Sequence, residues 1–154
     1  MLRVLLAGIA LFALSGCALI PPAPEYVAPP APREFRAMWV ATVANIDWPS
    51  KPGLPVAVLR EEMQRILTTA RQLKLNAVIL QVRPAADAIY PSQFEPWSEY
   101  LSGRQGVAPG DGCDPLAEWV KAAHASGIEL HAWFNPYRAR HASAKSPLAA
   151  QHVA

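Results

Sequence analysis

Four polar side chains stand where chemistry is usually done: Gln81 and Arg83 close one apolar run, and Asn135 and Arg138 follow another. Amides and guanidinium groups at strand ends hydrogen-bond hydroxyls and carboxylates, and Arg does so with a planar fork. Six aromatic residues, Trp39, Trp48, Tyr90, Trp97, Trp133 and Tyr137, are candidates to stack on a flat, hydroxyl-rich ring. Their rings offer a rigid apolar face with a polar handle. Packing in a core claims most tryptophans, so two or three of these six are expected at a ligand, Trp133 and Tyr137 first. The expected binding set is Trp39, Gln81, Arg83, Trp133, Asn135, Tyr137 and Arg138. For Arg83 and Arg138, pairing with loop carboxylates is an equal alternative.

Acid–base chemistry is harder to place. Asp47, Asp87, Glu95, Glu99, Asp111 and Glu129 lie near the same loops or on the same strand face, yet each reads more readily as a solvated charge, a turn residue or a cap. Only Glu129 belongs to a strand, and it stands at the start. No acid or base role is assigned to any of them, and catalytic residues are unknown. The histidines, His124, His131, His141 and His152, show no metal-ligand spacing. Cys113 reads as a loop residue with no Cys/His constellation around it. No glycine-rich phosphate loop follows any strand, and no cofactor is expected. Fourteen Lys and Arg against twelve Asp and Glu leave +2 without a basic stripe, which excludes nucleic acid as a partner. With 52% apolar and 17% charged residues, the chain is not a disordered tail.

The elements that must hold these residues alternate. Phe35 to Val43, rich in β-branched and aromatic residues, predicts a strand, and Asn45 to Gly53 a loop. From Val56 to Lys74 the spacing of Leu59, Met63, Ile66, Ala70 and Leu73 predicts a helix. Asn76 to Val82 is a second strand, whose continuous apolar centre suits a parallel strand covered on both faces. A long loop follows from Ala85 to Cys113, and Tyr90, Phe94, Trp97, Tyr100 and Leu101 are expected to anchor it. Asp114 then caps a helix with Pro115 in its first position, and Gly127 closes it. Ile128 to Phe134 is the third strand. In it Ile128, Leu130, Ala132 and Phe134 should pack under helices, with Glu129, His131, Trp133 and Asn135 on the other face. The order βαβαβ implies a parallel sheet with right-handed crossovers. Periodicity leaves a barrel and a doubly wound sheet equally open, and both collect ligands at strand C-termini.

The first segment reads as an address. Arg3 precedes an apolar run from Val4 to Leu14, too short to cross a bilayer but suited to a secretory leader. Leu14-Ser15-Gly16-Cys17 resembles the lipobox of bacterial lipoproteins, which implies lipidation at Cys17 and anchoring to a membrane. Ala18 after the cysteine implies the outer membrane, facing the periplasm. Prolines occupy six of the twelve positions from Pro21 to Pro32, a semi-rigid tether. The expected organisation is a leader over 1–16, a lipidated cysteine and tether over 17–33, an α/β body over 34–140, and an unassigned Ala-rich tail over 141–154.

Three blocks carry a further resemblance. Arg36 to Val43 with Asn45-Ile46-Asp47-Trp48-Pro49 is the first, and Asn76 to Pro84 with Asp87 to Ser92 the second. The third joins Asp114-Pro115-Leu116 to Gly127 through Arg138. Together they resemble the opening of the glycosyl hydrolase-like 10 domain of bacterial lipoproteins. That resemblance implies a glycoside hydrolase of TIM-barrel type acting on cell-envelope polysaccharide, with peptidoglycan glycan strands as the implied substrate. A (β/α)8 barrel takes ~250 residues, so the expectation for this chain is the N-terminal βαβαβ portion of one, incomplete and without the paired carboxylates that glycoside hydrolysis needs. The alternative is a non-catalytic outer-membrane lipoprotein that binds glycan or a partner.

Overall fold

The computed structural model describes residues 34–153. The expected leader, the lipidated Cys17 and the proline tether lie outside the described residues. Three strands form one parallel sheet in the order β1-β2-β3, with β1 at Ala37–Val40, β2 at Ala77–Arg83 and β3 at Glu129–Phe134. Helix α1, Val56–Gln72, connects β1 to β2, while α2, Glu99–Ser102, and α3, Pro115–Ala125, lie between β2 and β3. This is the mixed α/β arrangement with a small parallel sheet that the alternating pattern predicts. Closure into a barrel is not a property of these three strands.

The helices form where the sequence supplies both stripe and stops. On α1, Val56, Leu59, Met63, Leu67 and Ala70 are buried. Leu73, expected on the stripe, is instead 62% exposed. The helix ends at Gln72, and Lys74 turns the chain with φ +56°, so Leu73 no longer follows the helical rotation. Helix α3 begins as predicted: Asp114 Oδ1 accepts from Ala117 N at 3.1 Å, and Pro115 stands in the first turn. Gly127 follows at φ +69°, a conformation that spares a side chain the left-handed clash.

Between helices and sheet, Val78, Leu80 and Val82 of β2 meet Leu59, Met63, Leu67, Trp119 and Ala123. Each large side chain buried there contributes roughly 1.5–3 kcal/mol. Trp48 also belongs to this core, edge-on to Trp119 with centroids 5.5 Å apart.

Three further expectations change. Strand β1 is shorter than Phe35 to Val43, because the backbone leaves the ladder after Val40: Ala41 O accepts from Asp47 N and Trp48 N, and Ala41 N donates to Asp47 Oδ2. Ala132 and Phe134 do not pack under helices: both are exposed, Phe134 at 49%. Helix α3 precedes β3 and reaches Ile128 and Leu130, and no described helix follows to cover the far half of the strand. Phe94 is no anchor of the long loop, at 84% exposure, whereas Ile89, Tyr100 and Leu101 are buried.

The tail beyond residue 140 is packed against that loop. Lys145 N and Ser146 N donate to Glu99 Oε2, both at 2.9 Å, and Ala149 N donates to Gln105 Oε1 at 3.0 Å. His152 Nε2 lies 3.2 Å from Ala85 O.

Candidate functional site at the strand C-termini

The sheet face away from the helices carries aromatic residues from both outer strands. Trp39 on β1 and Trp133 on β3 meet edge to face with centroids 4.9 Å apart, and Phe35 meets His131 at 5.2 Å. Because β2 lies between them, each pair spans the middle strand. That is possible because β2 presents the small Ala77 and the modest Ile79 on this face. Trp39 is 60% exposed and Trp133 half-buried.

Gln81 is fully buried and tied on both sides. Its Oε1 accepts from Thr42 N at 3.0 Å and Val43 N at 2.9 Å, while Nε2 donates to Asn135 Oδ1. Thr42 Oγ1 completes the tie by donating to Gln81 O at 2.9 Å. Arg83 pairs with Glu95 and donates to Asn135 O at 2.7 Å, with little of either charged side chain exposed. Arg138 donates to Pro84 O at 3.4 Å and is half-buried, so its fork is only partly engaged. Tyr137 is 97% exposed.

The expected binding residues thus divide. Trp39, Trp133, Tyr137 and part of Arg138 face open space. Gln81, Arg83 and Asn135 spend their polar atoms on each other and on neighbouring backbone, which makes them the frame behind the open residues. Of the remaining aromatics, Trp48 is in the core, with Nε1 donating to Leu59 O at 3.1 Å, while Tyr90 and Trp97 are half-buried in the long loop.

The carboxylates are engaged in several ways. Asp47 accepts from Ala41 N, Glu95 holds Arg83, and Glu129 lies 3.1 Å from His131 Nε2. Asp111 is an exposed turn residue at φ +60°. Asp87 is buried beneath the long loop, accepting from Ala85 N at 3.0 Å. Burial pushes its carboxyl up to about 6, opposed by hydrogen bonds from Ala85, Ser98 and Gln105. Cys113 is also buried, and desolvation with Glu118 beside it raises its thiol to about 11, far from a reactive thiolate. Among the described residues no cluster of three or more His, Cys, Asp or Glu could hold a metal ion.

Thr42 and Glu99 matter to this architecture and stand out little in sequence. Their partners lie 39 and 46–47 residues away, and no local spacing announces such a tie.

A family model described as glycosyl hydrolase-like 10 matches residues 34–154. The glycosyl hydrolase YngK of Bacillus subtilis (strain 168) is 53% identical over 106 residues, covering 69% of this chain and 20% of that protein. The glycosyl hydrolase DigH of Escherichia coli (strain K12) is 39% identical over 111 residues, covering 68% of this chain and 25% of that protein. The chain therefore spans about a quarter or less of the length of these relatives.

Proposed function

The chain belongs to the glycosyl hydrolase-like 10 family, and from that premise we propose that it supplies part of the polysaccharide-binding face of a cell-envelope glycoside hydrolase. The observation that carries this reading is the Trp39–Trp133 pair standing open beside the strand C-termini. Such a pair gives an apolar platform on which a pyranose ring can lie, with Tyr137 beyond it and Arg138 able to meet hydroxyls or a carboxylate. Behind the platform, the Gln81–Asn135 tie and the Arg83–Glu95 pair fix the strand ends at no cost in flexible side chains at the moment of binding.

The substrate we propose is the glycan strand of peptidoglycan. The lipobox resemblance at Leu14 to Cys17 supports an exported protein held at the outer membrane, where that polymer is in reach of a proline tether. Completion of a TIM barrel belongs to the same proposal.

One observation favours a second reading, glycan binding without cleavage. Among the described residues, the candidate carboxylates around the Trp39–Trp133 platform are already engaged: Glu129, on the same strand as Trp133, lies 3.1 Å from His131 Nε2. Asp47 and Glu95 are held by a backbone amide and by Arg83, and Asp87 is buried. Hydrolysis needs one carboxylic acid to protonate the leaving oxygen and a second carboxylate as base or nucleophile.

Both readings meet one experiment. The chain is incubated with peptidoglycan glycan strands freed of stem peptides, and retention and new reducing ends are followed together. Retention with new reducing ends supports the hydrolase, and retention alone supports the binder. No retention, or retention unchanged in Trp133→Ala, overturns the proposed site.

A further inference from the structure

A second cleft, lined by none of the rim residues, lies between the loop after β1, α2 and the tail. It encloses about 300 Å3 and is lined by Asn45, Lys51, Glu99, Tyr100, Ser143 and Lys145, among others. We propose that this cleft binds a sugar acid, taking its hydroxyls at Glu99 and its carboxylate at Lys51 and Lys145.

Glu99 is the centre of the argument. It is only 8% exposed, and its Oε2 is saturated by the amides of Lys145 and Ser146. Among the described residues no protein donor reaches its Oε1. That oxygen is an acceptor held in place by two backbone N–H groups on its partner oxygen, in a residue that lines the cleft. A hydroxyl donor is what such an atom accepts, and a hydrogen bond to a charged group is among the stronger ones.

A second observation is independent of Glu99. Ala44 and Asn45, consecutive residues of the cleft wall, both adopt left-handed backbone, with φ +56° and +54°. Asn tolerates that conformation, but Ala does not favour it, and residues held so cluster at ligand clamps. The fold holds the strain: Asn45 Nδ2 donates to Pro49 O at 2.9 Å and to Tyr100 O at 2.8 Å. The same amide joins the cleft's two walls and leaves Asn45 Oδ1 as a further acceptor.

Charge completes the selection. Lys51 and Lys145 are exposed, line the cleft, and form no ion pair among the described residues. Tyr100 Oη and Ser143 Oγ, 3.1 Å apart, bond each other in the same wall, and Ser143 Oγ is held by His141 Nδ1 at 2.8 Å, so they shape the cleft while Glu99 and the lysines offer the open groups. A neutral sugar would leave both ammonium groups unused, and a simple carboxylate would leave Glu99 Oε1 unused. Only a ligand carrying both hydroxyls and a negative charge uses the whole set.

This assignment does not rest on the rim reading, and its probe is different, so either can fail alone. Glucuronate, glucose and acetate are titrated into the full chain while the backbone amides are followed by NMR. Glucuronate should saturate and move the Lys145 and Ser146 amides, with glucose and acetate each ~10-fold weaker or more. Glu99→Gln keeps an oxygen for the two amides but replaces the cleft acceptor with a donor, and should weaken glucuronate ~10-fold. Lys51→Met and Lys145→Met, on exposed side chains, keep the fold and should bring glucuronate towards glucose. No saturable glucuronate binding overturns the proposal. So does equal affinity for glucose or for acetate, and so does unchanged affinity in Glu99→Gln with its amide spectrum otherwise intact.

Discussion

Gln81 Nε2 donates to Asn135 Oδ1, so the C-terminal ends of β2 and β3 are joined through side chains as well as through the ladder. On its other side Gln81 accepts from Thr42 N and Val43 N, which brings the end of β1 into the same tie. One carboxamide therefore fixes all three strand ends. Gln81→Leu leaves two backbone donors and Asn135 without a partner in a buried place, at ~1–3 kcal/mol for each unmet group. The expected loss is about 3 kcal/mol, read as a lower urea midpoint at unchanged slope. A loss under ~1 kcal/mol would return Gln81 to the ligand-binding residues.

Asp87 predicts an unusual pH dependence. Its carboxyl is raised from 3.8 to about 6 by burial, so the folded chain keeps a proton there that the unfolded chain has released. Between those values the native state binds more protons, and its stability falls as pH rises through about 6. The contribution of this group is fully favourable below its unfolded value and lost above its folded one. Across that window wild type should lose up to ~3 kcal/mol relative to Asp87→Asn, which has no carboxyl to ionise. Urea unfolding of both proteins at pH 4 and pH 8 measures the difference. Equal differences at the two pH values would show that Asp87 titrates as it does in the unfolded chain.

What the sequence makes legible follows from how local each signal is. The cap at Asp114, the stop at Gly127 and the stripe through Leu59, Met63 and Ala70 are decided within one or two turns of chain, and they stand as read. The parallel order of the strands follows from their alternation with helices. Leu73, Ala132 and Phe134 lie outside the core because periodicity cannot tell where an element stops or how much of a strand a helix covers. Gln81, Arg83 and Asn135 stand at neighbouring strand ends, but the division of the rim residues into frame and open surface depends on distant partners. Gln81 meets Thr42 across 39 positions and Asn135 across 54, and Arg83 turns to Glu95 in a loop with no regular pattern.

Trp48 and Trp119 meet edge to face but differ in what their indole N–H groups do. Trp48 Nε1 donates to Leu59 O, whereas Trp119 Nε1 has no hydrogen-bond partner among the described residues. Replacing Trp119 by Phe removes an orphaned donor together with some packing, and the two effects oppose each other. Replacing Trp48 by Phe loses packing and a satisfied bond together. Trp119→Phe should therefore cost ~1 kcal/mol or less and Trp48→Phe ~2–3 kcal/mol, compared by thermal melts. Equal costs would mean that the unpartnered N–H carries no penalty.

Cys17 lies outside the described residues, and its lipidation is tested chemically. Two or more acyl chains hold a protein to a bilayer stably, at ~0.8 kcal/mol per buried CH2. Cys17→Ala should remove the lipid, shift the gel mobility towards the precursor and abolish labelling with a fatty-acid analogue. Identical migration and identical membrane fractionation of mutant and wild type would end the lipoprotein reading.

The open sheet face makes the last prediction. Phe35 and Trp39 are 58% and 60% exposed, with Trp133 half-buried against Trp39, and among the described residues no strand pairs with the outer edge of β3. Contiguous apolar surface beyond a few hundred Å2 marks an interface, and an unpaired edge is a template for another strand. Covering several hundred Å2 would return roughly 5–10 kcal/mol at ~25 cal/mol per Å2, comparable with the stability of a whole domain. Residues 34–154 expressed alone should therefore associate as concentration rises and bind a hydrophobic dye such as ANS. Trp39→Ser with Phe35→Ser should weaken both signals, because these two side chains contribute apolar area to this face without belonging to the buried core. Sedimentation velocity over a hundredfold range of concentration reads the association directly. A dye-silent monomer with one cooperative melt would show that the face is tolerated as it stands, and that the sheet needs no further wall.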